Sequence, residues 1–135
     1  MLEKNRKILQ DELKNVSFDV PLAPLTYYKI GGNADAVVVA ETESEIVDAI
    51  KLVRELGLPY FVLGCGSNLL ISDRGYPGLV IRFGAPFEEI NISGTILQAG
   101  AAVKLILSFI APPIWGFRVS SNWRESPVLW AGRCL

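Results

Sequence analysis

Apolar residues fall into three rhythms along this chain. From residue 2 to 14 they recur at helical spacing among charges (Leu2, Ile8, Leu9, Leu13), which predicts a short amphipathic surface helix. Val20-Pro21-Leu22-Ala23-Pro24-Leu25 is expected to be extended, because each proline fixes its own φ and disfavours helix in the residue before it. Gly31-Gly32 then breaks the chain where it must turn or pass close to another segment. Ala36-Val37-Val38-Val39-Ala40 is a continuous apolar run centred on three valines, the pattern of a strand covered on both faces. Thr42-Glu43-Ser44-Glu45 predicts a capping box, and Ile46, Ala49, Ile50, Val53 and Leu56 follow on one helical face until Gly57 and Pro59 end the helix. Tyr60-Phe61-Val62-Leu63 reads as the next strand, parallel to and paired with the first, so the segment is a βαβ unit with a right-handed crossover. Leu79–Phe83 and Thr95–Gln98 read as two more strands, and Val103–Ala111 as a helix with Val103, Leu107 and Ile110 on its apolar face.

Composition narrows the chemistry. The 135 residues suit one ordinary domain, and half of them are apolar, which favours a folded core over disorder. Thirteen Lys and Arg against fourteen Asp and Glu leave no basic face for nucleic acid. Histidine is absent, which removes Ser-His-Asp and Cys-His catalysis and every His-ligated metal site. Two cysteines, Cys65 and Cys134, cannot build a four-cysteine zinc site or a disulfide framework, so a reducing compartment is the default. The N-terminus lacks the apolar stretch of a signal peptide, and the most apolar window, Leu105–Phe117, is short and interrupted by Pro112 and Pro113. These features predict a cytoplasmic protein without a membrane partner, whose chemistry is borrowed from a cofactor.

One local sequence carries chemical content. Gly64-Cys65-Gly66-Ser67-Asn68 follows a buried strand, where paired glycines let successive backbone N–H groups face one concavity, with Ser67 and Asn68 adding donors. The dinucleotide fingerprint fails because position 69 is Leu where a third Gly is required, and a P-loop fails for want of a Lys-Ser/Thr pair. A tight structural turn and an anion cradle both fit the residues. Lys29 before a glycine pair and Arg82 within a strand read as solvated side chains. Cys65 reads as a small filler, since no histidine is available to activate it.

The combination is more specific than its parts. Pro21-Leu22-Ala23-Pro24-Leu25-Thr26, Tyr28-Lys29-Ile30-Gly31-Gly32-Asn33-Ala34-Asp35, Leu63-Gly64-Cys65-Gly66-Ser67-Asn68-Leu69-Leu70 and Gly78-Leu79-Val80-Ile81-Arg82 together resemble the N-terminal part of the UDP-N-acetylenolpyruvoylglucosamine reductase family of peptidoglycan precursor synthesis. The resemblance covers about residues 20 to 110. It implies an α+β fold: an FAD-binding domain of the vanillyl-alcohol-oxidase (PCMH) type, here the first subdomain with its βαβ unit plus the start of the second. It divides the chain into an N-terminal helix and extended arm (1–25), a truncated FAD-binding domain (26–111) and a tail (112–135). It further implies FAD as cofactor, NADPH as co-substrate and a UDP-sugar as substrate. The cofactor-binding residues it implies are Tyr28, Ile30, Gly31, Gly32, Gly64, Cys65, Gly66, Ser67, Asn68 and Leu69, with the loop cradling the pyrophosphate and Ile30-Gly31-Gly32 on the adenosine side. No metal is implied. Another flavin oxidase or dehydrogenase of the same fold, or a non-catalytic nucleotide-binding module, would share the strand-helix-strand core. Many such oxidases attach FAD covalently through His or Cys, and the absence of His weighs against them.

From Pro112 onward the resemblance is lost, at the place where the family carries Gly-Leu-x-Gly-Leu-Glu and then Gly-Ile-Pro-Gly-x-Val-Gly-Gly. The genetic code offers an explanation. In the frame that starts at each third codon position, Trp115 with Gly116 must encode Gly, Asn122 with Trp123 must encode Leu, and Trp130 with Ala131 must encode Gly. Permitted synonymous bases across Trp115–Cys134 then allow Gly-Leu-Ser-Gly-Leu-Glu-Gln-Leu-Ala-Gly-Ile-Pro-Gly-Ser-Val-Gly-Gly-Ala-Val, the missing segment in register. The tail therefore reads as out of frame, with a naturally divergent C-terminus as the alternative. Catalytic residues are expected only downstream of that break, where the family uses an arginine and a glutamate to stabilise charge and a serine to donate a proton.

Overall fold

The computed structural model describes residues 1–67, 69–93 and 96–103. The tail 112–135, Asn68, and all of the helix expected over 103–111 except Val103 lie outside the described residues. Helix α1 (Glu3–Glu12) leads into strand β1 (Val16–Pro21), then β2 (Asn33–Ala40), helix α2 (Glu43–Glu55), β3 (Tyr60–Leu63), β4 (Tyr76–Phe83), β5 (Ile90–Ser93) and β6 (Ile96–Ala99). The first four strands form one mixed sheet in the order β1-β2-β4-β3, and β5 and β6 form a separate antiparallel pair.

Strands β2 and β3 are both parallel to β4, but they do not pair with each other as the sequence reading expects, because β4 lies between them. The buried composition of β4 accounts for its central place. Leu79, Val80 and Ile81 are inaccessible to solvent, whereas β3 is only four residues long and half-buried along most of its length, as suits an edge.

Strand β1 is a further departure. Residues 16–21 belong to the sheet, antiparallel to β2 with Val16 opposite Val38 and Pro21 opposite Asn33. Its signal is the alternation of Val16, Phe18 and Val20 with polar neighbours, and Pro21 is tolerated at the end of an edge strand. Beyond it Ala23–Leu25 winds into a single 3-10 turn with Pro24 in its first positions, rather than continuing extended. Proline's fixed φ suits that turn, and burial of Leu22 holds the segment down.

The α2 cap forms with a small shift. Thr42 Oγ1 accepts from the Glu45 N–H at 3.3 Å, while the Glu45 carboxylate accepts from the N–H of Glu41, one residue before the cap, at 2.7 Å. Ile46, Ala49 and Val53 are buried beneath α2, with Ile50 and Leu56 flanking them half-buried. They pack on Ala36, Val38, Ala40, Leu79, Ile81 and Phe83, which strand alternation places on one face of the sheet, and Leu9 of α1 closes the same core. The opposite face presents Val37, Val80, Phe61 and Leu63, and no helix covers it among the described residues. Two loops do.

Candidate functional site

The two covering loops, residues 22–32 and 64–75, are tied to each other by backbone hydrogen bonds. The Tyr27 N–H donates to the Gly66 carbonyl at 2.9 Å, and the Gly32 N–H donates to the Ser72 carbonyl at 3.0 Å. Thr26, nearly buried, donates its hydroxyl to the Ala23 carbonyl at 3.1 Å, which fixes the start of the turn through residues 26–30. Lys29 adopts φ +53°, the left-handed conformation that reverses the chain there. Leu22, Leu25, Leu69 and Ile71 point inward from the loops onto Val37, Leu63 and Val80.

The glycines show why they are needed. Gly66 has φ +66°, and a Cβ on it would lie 2.2 Å from the Leu25 carbonyl oxygen. A Cβ on Gly32 would lie 2.3 Å from the Asp73 carbonyl oxygen, and one on Gly31 would lie 2.7 Å from the Ile71 Cβ. These positions let two backbones touch. Gly66→Ala is expected to destabilise the chain by about 1–3 kcal/mol through backbone strain and the loop displacement it forces. Thermal unfolding measures it, and an unchanged midpoint would sink the close-approach account. The first effect of a side chain at Gly66 therefore falls on the Leu25–Thr26 backbone.

Anchored inward, the loops send other side chains outward. Tyr27 is 76% exposed, Tyr28 53%, Ile30 49% and Leu70 74%. Only Leu2 and Val47 are comparably exposed large apolar residues among those described, so four of the six come from these two loops. Tyr27 and Tyr28 stand edge to face, their ring centroids 5.9 Å apart. Cys65 is exposed with its Sγ 3.4 Å from the Ser67 Oγ, and Gly64, Ser67 and Leu69 are half-buried. Every described residue of the predicted set thus belongs to this pair of loops, and Asn68 lies outside the described residues. Sequence reasoning missed Tyr27 and Leu70. The tandem tyrosines offered a signal for the first. Leu69-Leu70-Ile71 reads as a core run, and only the loop's path shows that Leu70 turns away from it.

Residues 34–106, more than half of the chain, match the model of a family described as FAD binding domain. The chain belongs to that FAD-binding family. The mixed sheet with α2 and α1 packed on one face is the α+β arrangement expected of an FAD-binding domain of the PCMH type. The chain is also similar to curated proteins named UDP-N-acetylenolpyruvoylglucosamine reductase. It is 36% identical to that of Alkaliphilus oremlandii, over 86% of this chain and 38% of the relative. It is 40% identical to that of Paramagnetospirillum magneticum, over 64% of this chain and 28% of the relative. A crystal structure of the reductase from Thermus caldophilus shares 32% identity over 69% of this chain and 30% of that one, with a TM-score of 0.48. The chain therefore spans little more than a third, or less, of the relatives it matches. As an FAD-binding family member it carries its glycine loop within the matched span, whereas Tyr27, Tyr28 and Ile30 lie just before it.

Proposed function

We propose that the two loops hold FAD, and that the chain is the flavin-holding part of the reductase that converts UDP-N-acetylglucosamine enolpyruvate to UDP-N-acetylmuramate with NADPH. This is a cytoplasmic step of peptidoglycan precursor synthesis, the route that supplies the cell wall in growth and division. The observation that carries the reading is the outward apolar surface of Tyr27, Tyr28, Ile30 and Leu70, set beside a glycine loop whose position is fixed by the Gly66–Tyr27 hydrogen bond. A ligand with planar rings and a pyrophosphate suits that pairing of apolar wall and backbone donors.

Bound FAD supplies hydride transfer between NADPH and the enolpyruvyl double bond. This chain's part is to bind and orient it. Gly64, Cys65, Gly66 and Ser67 would hold the pyrophosphate, as the resemblance also implies for Asn68, with Leu69 packed against the core beneath the loop. Tyr28 and Ile30 form the wall, and Gly31 and Gly32 keep that wall close to the Ser72–Gly75 turn. The flavin-holding region runs over 26–111, although β1 makes residues 16–21 part of the same sheet, so removal of the first 25 residues would strip an edge strand from it.

The test is an NMR titration of the 135-residue chain with FAD. Weak, saturable binding is expected, with shifts confined to residues 25–32 and 64–75. Tyr28→Ala should lower the affinity about tenfold with unchanged thermal stability, since the ring is exposed and stacking on an aromatic ring contributes on the order of 1–3 kcal/mol. FAD that leaves both loops unperturbed would overturn the reading.

A further inference from the structure

Arg82 reads from sequence as a solvated strand residue, and its surroundings assign it more. On β4, Leu79, Ile81 and Phe83 pack on the helix-covered face, and Val80 packs on the opposite one. Alternation places Arg82 with Val80, on the face the two loops cover. In register it stands between Val39 of β2 and Leu63 of β3. Leu63 is the residue that leads directly into Gly64, so the glycine loop leaves the sheet one strand spacing, about 4.8 Å, from the Arg82 backbone. The side chain is exposed. The ion pairs among the described residues engage Arg6 and the Met1 amino group, and none engages Arg82. Glu41, the acidic residue just past the end of β2, makes no ion pair with it, and its N–H is taken up by the Glu45 carboxylate. A permanent cation is thus held on a rigid central strand, at the strand end where the proposed anion cradle begins, with no ion-paired carboxylate among the described residues.

We propose that Arg82 is a phosphoryl-contacting residue of this site, its guanidinium donating to a pyrophosphate oxygen that the Gly64–Ser67 loop holds from the other side. The proposal rests on the flavin reading above. A guanidinium on a strand brings a fixed donor fork to the anion, while the loop contributes neutral backbone dipoles, so the two divide charge compensation and positioning between them. Lys51 provides the internal control. It is also exposed but lies on α2, which packs on the opposite face of the sheet from the two loops.

The experiment titrates the 135-residue chain, R82Q, R82K and K51Q with FAD, ADP and riboflavin, followed by NMR at low and high salt. Arg82→Gln is expected to weaken FAD and ADP three- to tenfold while riboflavin, which has no phosphate, binds unchanged. Arg82→Lys should lose less than Arg82→Gln, Lys51→Gln nothing, and added salt should shrink the difference between wild type and R82Q. Thermal melts of the variants should match wild type. Equal FAD and ADP affinities in wild type and R82Q would overturn the assignment and leave the flavin reading standing. Equal losses in R82Q and K51Q would reduce it to net charge and overturn it as well. Failure of the wild-type loops to respond to FAD would remove both.

Discussion

Val53→Asp should leave the domain only marginally folded at room temperature, whereas Ile50→Asp, one helical turn away in the same apolar stripe, should cost much less. Val53 is completely buried against the helix face of the sheet, in the cluster that contains Leu79 and Ile81. A carboxylate there loses its hydration without gaining a cation, because the buried side chains of its cluster are all aliphatic or phenyl. The expected loss is on the order of 4 kcal/mol or more, a large share of the roughly 5–15 kcal/mol that stabilises an ordinary domain. Ile50 is only half-buried, so an aspartate there can turn its charge toward water, and a loss of about 1–2 kcal/mol is expected. Urea unfolding followed by circular dichroism ranks the two. Equal midpoints would show that the helix is rotated from the orientation in which Ile46, Ala49 and Val53 face the sheet.

That difference between Ile50 and Val53 shows where sequence stops informing. Helical periodicity selects a stripe, and α2 ends within a residue of the predicted bounds because Thr42 and Gly57 punctuate it chemically. Which member of the stripe lies deepest depends on the sheet beneath. There the insertion of β4 between β2 and β3 could not be read, since strand order is a long-range property that no local pattern encodes. Strand β5 carries no local signal for a related reason: its four residues gain their meaning only from pairing with β6.

The site was legible in the opposite way. Gly31-Gly32 and Gly64-Cys65-Gly66 were conspicuous because glycine pairs are rarely neutral, and both sit where backbones meet: Gly66 against Leu25, Gly32 against Asp73. The purpose of the glycines was open between a turn and a cradle, and the structure supplies the turn's half directly. The apolar wall was half-hidden, since exposure of Leu70 follows from how the loop returns from the end of β3 to the start of β4, not from its own side chain. Arg82 was legible only after the register was known.

The largest expected effect concerns turnover. The 135-residue chain, saturated with FAD, should show no substrate-dependent oxidation of NADPH above the blank, and the gene read on in the restored frame should. Hydride delivery to an enolpyruvyl group leaves carbanionic charge that must be stabilised and then quenched by a placed acid. On the proposed reading, the two loops would offer backbone amides, tyrosine rings and a serine to a bound nucleotide. The residues that the reductase resemblance assigns to the charge and the proton, an arginine with a glutamate and a serine, would fall beyond the proposed frame break. On the frame-shift reading of the tail, Arg118, Arg124 and Arg133 would be products of the shifted frame and would stand in for none of these groups. Absence of one charge-stabilising group typically lowers the rate by about 10²–10³, and absence of the general acid by about 10²–10⁴ more. The combined loss carries any residual reaction below detection in an absorbance assay. Turnover by the chain as it stands would refute the frame break and the placement of the chemistry together. A silent restored-frame protein that binds FAD tightly would refute the reductase assignment while leaving the flavin site in place.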